Sequence, residues 1–389
     1  MRIVYLGVTH AYTDGRLLHR EMATLKRKNP EAELFYVGYA SLPHCAANEE
    51  ERPSDIVNVV DFDGWYPEIA RRAWSPFRLL WRFYWWFWRV RKVISLNPDL
   101  VQASDVKELP EAFFIGLFSG CRLIYDAHED YFNQYYEYRG RTLFALLIAC
   151  YFSFIEILFV RFFECVFCTD EFLQKLYQRS RYGAKKVVLL RNFPPPQLFT
   201  KVAKHSNKDH LRLVYSGLVN AYRGVLSCCD YVLQFNEKHS PEKKLSLHLF
   251  ARPTPLLDKY KDKEAIVYYG WITYPELASR LTDFDVGVAL LKRIKKLERN
   301  IPTKNFDFMA AGLPLIASNF GNGYEYVKKA QAGICIEPES YAEFEEAVLT
   351  LFSLEERERF ARNGRTFVEE EASVDKEYEP YVQIMLGKN

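Results

Sequence analysis

The chain has 389 residues, of which 49% are hydrophobic and 26% charged, and its formal net charge is +2. That length exceeds one ordinary core, so two domains of roughly 200 residues each are expected. The near balance of charge excludes a dedicated nucleic-acid binder, which would be markedly basic.

The opening MRIVYLGV runs directly into a strand-like segment, with no secretory signal, so a cytoplasmic protein is expected. RIVYLGV, a helical GRLLHREMATLKRKN and ELFYVGY begin an alternation of apolar runs with amphipathic stretches. It continues through DLVQAS, RLIYDA, CVFCT and KVVLLRN. After RNFPPPQLFTKVAKHSNKDH the pattern restarts with LRLVYSG, LSLHLFA, AIVYYG, DVGVALL, PLIAS and AGICIE. Such alternation implies parallel sheets covered on both faces. The proline tract marks a linker, giving two doubly wound domains, residues 1–198 and 199–389, with the last helix crossing back to the first. Ligands of such sheets bind beyond the C-terminal strand ends, so the cleft between the domains is the expected site. The eight cysteines lie mostly in apolar surroundings, as reduced core thiols do. Cys165 and Cys168 form a C-x-x-C without the partners of a zinc set and read as part of a strand.

Two segments depart from the pattern. Residues 71–94 carry seven basic residues and no acid, with Trp81, Tyr84, Trp85 and Trp88 at helical spacing. That composition describes a helix in a membrane interface, with Trp81, Trp85 and Trp88 facing lipid. The alternative is a helix that packs its aromatics into the core. In residues 142–163, only the 14 from Thr142 to Ile155 are free of charge before Glu156. A spanning helix needs roughly 20, so a buried or shallowly embedded helix is expected.

Polar residues gather at strand ends. In YSGLVNAYRGV, Gly217 allows a tight turn, and Arg223 and Gly224 stand where a helix begins, a place suited to phosphate. In RNIPTKNFDFMAAGLPLIASN, Lys304 offers a point charge and Asp307 can accept the two hydroxyls of a ribose. In YDAHED, His128, Glu129 and Asp130 follow a strand, and His128 can bond a sugar hydroxyl or move a proton. Asp14 and Arg16 likewise follow the first strand. The D-x-D pairs Asp61/Asp63 and Asp283/Asp285 are weighed as metal sites and set aside as chance matches among 50 acids.

The order TDGR, LVQASDVKELP, LIYDAHED, LLRN, YSG…RG, VYYGWI, DVGVALL and IPTKNFDFMAAGLPLIAS resembles glycosyltransferase family 4. This is the retaining GT-B group, in its envelope or capsule polysaccharide form. The resemblance implies two Rossmann-like domains facing a cleft and metal-independent transfer from a nucleoside-diphosphate sugar, with UDP or GDP as the leaving group and no cofactor. It implies that Lys304 and Arg223 hold the diphosphate, with Gly217 and Gly224 beside them, and that Asp307 binds the ribose. His128 would contact the donor sugar, and Gly7 would let backbone near the reacting centre. Asp14, Arg16, Asp105, Glu129, Glu298 and Asn300 fall toward the donor sugar or acceptor. One departure is Arg299, which stands where the family has an acid eight positions before Asp307, with Glu298 one step away. Retention would proceed without a protein nucleophile, the leaving diphosphate taking the acceptor's proton. The acceptor is expected to be a saccharide or lipid-linked saccharide at the inner leaflet, making the protein peripheral to the membrane. The rivals are a sugar-nucleotide epimerase or hydrolase on the same scaffold, and a non-catalytic binding subunit.

Overall fold

In the first half the apolar runs assemble into one parallel sheet, ordered β3-β2-β1-β4-β5-β6-β7. The strands are β1 (Arg2–Gly7), β2 (Glu33–Gly38), β3 (Asn58–Asp61), β4 (Leu100–Ala103), β5 (Arg122–Ala127), β6 (Cys165–Cys168) and β7 (Val187–Leu189). The computed structural model describes residues 1–7, 15–38, 56–61, 77–138, 140–205, 208–299 and 301–388. Edge strand β3 was not anticipated: its NVVD is short and pairs only with β2. In-register pairing of Val4 with Val101 and of Val101 with Leu123 sends one set of side chains to each face. Helices cover both faces, so these strands are apolar throughout rather than alternating.

Three helices matter on the face carrying Val4, Val101 and Tyr125: α1 (Phe77–Ser95), α2 (Leu109–Ser119) and α3 (Leu143–Phe159). Trp85 and Trp88, expected to face lipid, are half-buried against this core, while Phe83, Tyr84 and Phe87 point outward. The side chain of Trp81 lies outside the described residues. Helical spacing marked an apolar stripe correctly, but the sheet claimed the tryptophan side of it.

The second sheet is ordered β10-β9-β8-β11-β12-β13, a Rossmann arrangement with the switch point between β8 and β11. Its strands are β8 (His210–Ser216), β9 (Lys244–Phe250), β10 (Ile266–Gly270), β11 (Val286–Ala289), β12 (Leu315–Ser318) and β13 (Gly333–Ile336). Helix α4 (Val225–His239) follows β8, and α5 (Thr303–Ala310) precedes β12. Pro302 caps α5 and Gly312, at φ +71°, ends it. Gly364 of the neighbouring helix Leu354–Glu370 meets Met309, which accounts for the small residues on both.

The chain divides into two units, Met1–Asn192 with Tyr378–Asn389, and Phe193–Glu377. The boundary falls before residue 198 because Phe193 packs on Phe306 and Phe199 on Tyr274, tying the proline tract to the second unit. Helix α6 (Glu379–Met385) belongs to the first unit, where the Tyr381 and Tyr5 hydroxyls bond at 2.8 Å and Arg122 donates to Ile384 O.

Candidate active site

In the second unit the switch point gathers five of the expected residues: Gly217, Arg223, Gly224, Lys304 and Asp307. Gly217 ends β8 at φ +121°, a conformation that side chains resist, and its N–H donates to Phe250 O. Lys304, in the first turn of α5, reaches back so that its Nζ lies 3.8 Å from the centre of the Tyr215 ring. A Cβ built on Gly217 would stand 3.5 Å from that Nζ, so the ammonium lies against bare backbone. Lys304 is 7% exposed, and its Nζ has no hydrogen-bond partner among the described residues. Burial and the neighbouring Arg223 guanidinium hold its pKa well below the ordinary lysine value, against the pull of Asp307.

Arg223 is half-buried at the entrance to α4, its N–H bonded to Asn220 Oδ1 at 3.1 Å. Gly224 donates to Leu290 O, and a Cβ there would lie 2.9 Å from Leu290 Cβ, so glycine lets α4 start against β11. Asp307, one turn beyond Lys304, is buried and accepts the Tyr274 hydroxyl at 2.6 Å. Tyr274 was missed in the sequence because only the fold brings its helix beside α5. Lys304 thus stands within electrostatic reach of both the Arg223 guanidinium and the buried Asp307 carboxylate, an arrangement that a multiply charged anion would complete.

In the first unit Asp126, His128, Arg16 and Glu21 form a second cluster. Arg16 donates to Asp126 through Nε (2.9 Å) and Nη2 (2.5 Å), and to Leu190 O and Asn192 Oδ1 through Nη1. His128 Nε2 is hydrogen-bonded to Asp126. Burial alone would raise the Asp126 carboxyl, but Arg16 and His128 hold it well below the usual carboxylate range. Burial and Asp126 push the Glu21 carboxyl the other way, above the usual carboxylate range, against the pull of Arg16 at 2.9 Å. Glu21, Asp126 and His128 offer ligand atoms within 4.8 Å of one another, spacing that would suit a metal ion. Both Asp126 oxygens, however, already bond the Arg16 guanidinium. Arg16, expected to contact donor or acceptor, is instead a buried brace that ties the first helical segment to β5.

The other expected residues are placed as follows. Gly7 ends β1 under the Tyr36 ring, whose hydroxyl donates to Gly7 O, so a side chain at 7 would strike the ring. Asp105 caps a short turn by accepting from Lys107 N. Glu129 lies half-buried beside His128. Glu298 is exposed, and its backbone packs against Gly321, where a Cβ would lie 2.5 Å from Glu298 O. Asp14, Asn300 and Asp63 lie outside the described residues. Asp285 is buried and accepts from Arg212 N and Nε, a tie at the start of β11. Cys165 and Cys168 are free thiols on β6, and burial pushes Cys165 up to about 12.

Residues 211–353 match the family model described as glycosyl transferases group 1. That segment contains Gly217, Arg223, Lys304 and Asp307. The whole chain also superposes on solved structures of low sequence identity. Sucrose-phosphate synthase from Thermosynechococcus elongatus matches at TM-score 0.66 and 13% identity, covering 100% of this chain and 98% of that one. The Anabaena protein HepE, in complex with UDP and glucose, matches at 0.66 and 12%, covering 100% of both chains. The trehalose-6-phosphate synthase OtsA matches at 0.65 and 12%, covering 99% of both. The fold is GT-B. No curated protein matches the chain in sequence.

Proposed function

We propose that this protein transfers a sugar from a nucleoside-diphosphate sugar, with retention of anomeric configuration and without a metal. The observation that carries the reading is the Lys304 amine, buried over the Tyr215 ring with no hydrogen-bond partner among the described residues, beside Gly217 and Arg223 and inside the segment that matches the family model. An unpaired buried amine costs stability, and a diphosphate supplies the missing partner. Lys304 and Arg223 then stabilise the charge that builds on the leaving phosphate, with no reorganisation at the moment of reaction. Asp307, oriented by Tyr274, receives ribose hydroxyls. The HepE complex with UDP makes UDP the first donor base to test, with GDP next. The acceptor is proposed to be a saccharide or lipid-linked saccharide of envelope glycan assembly, at the cytoplasmic face of a membrane.

The test is thermal stabilisation by UDP, GDP, ADP, CMP and dTDP, repeated with Lys304→Ala and Arg223→Ala. A ligand at 100 times its dissociation constant stabilises the native state by ~2.7 kcal/mol. Stabilisation by one diphosphate, lost in both variants, supports the reading. Absence of any shift sinks it in favour of a non-catalytic subunit, and release of free sugar without an acceptor favours a hydrolase.

A further inference from the structure

We propose that the outward face of α1, α2 and α3 seats the protein on an anionic lipid bilayer, with α3 lying in the plane of the interface. This deepens the membrane-side reading above and moves the contact from the tryptophans of α1 to a different helix. Helix α3 is apolar on every side, as core helices are. Yet only 22% of the most apolar 18-residue window within Leu143–Phe162 is buried. Ala145, Ala149 and Glu156 face the unit, whereas Leu143, Leu147, Tyr151 and Phe154 are 59–74% exposed along one stripe. Leu117 and Phe118 of α2 and Phe83 and Phe87 of α1 extend the exposed apolar surface.

Ring contacts connect the three helices. Phe113 of α2 meets Phe159 of α3 at 5.3 Å between ring centres, and Phe114 meets Trp86 of α1 at 5.3 Å. Isolated apolar side chains at a surface need no explanation, but a continuous face of this kind marks an interaction site.

Charge decides what covers it. The three helices contain two acids, and both turn inward: Glu111 pairs with Arg89, and Glu156 accepts the Tyr125 and Tyr177 hydroxyls. Arg141 and Arg161 stand exposed at the two ends of α3, and Arg91 is exposed on α1. An apolar stripe with cationic ends and no outward acid suits acyl chains beneath anionic headgroups. Topology rules out a span. Helix α3 lies in the connection between β5 and β6, which are neighbours in one sheet, so both its ends must return to the same side.

The test is flotation of the full-length protein with vesicles of phosphatidylcholine, alone and with phosphatidylglycerol. The wild type is expected to float with the anionic vesicles, less so at high salt. Leu147→Glu/Phe154→Glu is expected to lower that binding by about tenfold or more, with its melting temperature unchanged. If the double variant floats like the wild type while Phe83→Glu/Phe87→Glu does not, the membrane reading stands and α3 is not its site. A wild type that ignores all vesicles overturns both readings. If it also forms a dimer that the α3 variant splits, the face is a protein–protein interface. None of these readings depends on sugar transfer.

Discussion

Lys304→Met should make the empty protein more stable and, at the same time, weaken its hold on a nucleoside diphosphate. The substitution keeps the apolar stem over Tyr215 and removes an amine that has no hydrogen-bond partner among the described residues. Leaving a buried polar group unsatisfied costs about 1–3 kcal/mol, so Lys304→Met should recover a similar amount. For a unit of roughly 150–250 residues that is about 2–4 °C in melting temperature per kcal/mol. The lost bond to phosphate is charge-assisted and worth about 1.5–3 kcal/mol, which is roughly 10- to 150-fold in affinity. Protonation adds a second signature. Burial and Arg223 keep the empty site's amine neutral at pH values where the unfolded chain's lysine is still charged. The unfolded state therefore holds the extra proton between that lowered pKa and about 10.4, and this group makes stability rise with pH across the window. A bound diphosphate restores the charge, so binding takes up a proton and affinity falls as pH rises. Melting curves and calorimetric titration of UDP in buffers of different ionisation enthalpy measure all three effects. A variant that melts lower than the wild type yet binds UDP unchanged would refute the reasoning, since Lys304 would then be a packing residue.

Gly217→Ala should destabilise by about 1–2 kcal/mol, because the φ of +121° penalises any Cβ; a melt within error of wild type would show that the strand end relaxes. Tyr274→Phe should weaken UDP binding about fivefold while leaving inorganic diphosphate binding unchanged, since the lost hydroxyl donates to Asp307, the residue proposed for the ribose; an equal loss for both ligands would contradict the ribose role. His128→Ala should lower the transfer rate about 10²-fold with UDP affinity intact, and unchanged turnover would remove His128 from the reaction. Glu156, pushed up to about 8 chiefly by burial, holds its proton in the fold at pH values where the unfolded chain has lost it. Its contribution is therefore present below about 4.3 and lost as pH rises through about 8. Glu156→Gln should accordingly melt above the wild type at pH 9 and beside it at pH 4, and parallel melting curves across that range would refute the assignment.

Much of this molecule was legible before any coordinates. Parallel strands buried on both faces must be continuous apolar runs, so LRLVYS or LIYDA announces itself locally; only NVVD, an edge strand paired on one side, was too short to stand out. Gly217, Arg223, Lys304 and Asp307 were also visible, since turns and helix entrances have local residue requirements. Other features belong to long-range packing. The Lys304 amine is buried over Tyr215, with no hydrogen-bond partner among the described residues, because β8 and α5, far apart in sequence, meet at the switch point. Arg16 became a brace because Asp126, 110 positions away, took its guanidinium. Asp307 acquired Tyr274 in the same way. The aromatic helices show the limit most plainly. Periodicity reveals that a helix has an apolar side but not which neighbour will cover it, so the tryptophans of α1 turned to the sheet. Helix α3 is apolar on every side and has no periodicity from which to infer a direction. Which of its faces stays bare was decided by the sheet, through the Glu156 carboxyl bonded to Tyr125 and Tyr177 beneath it.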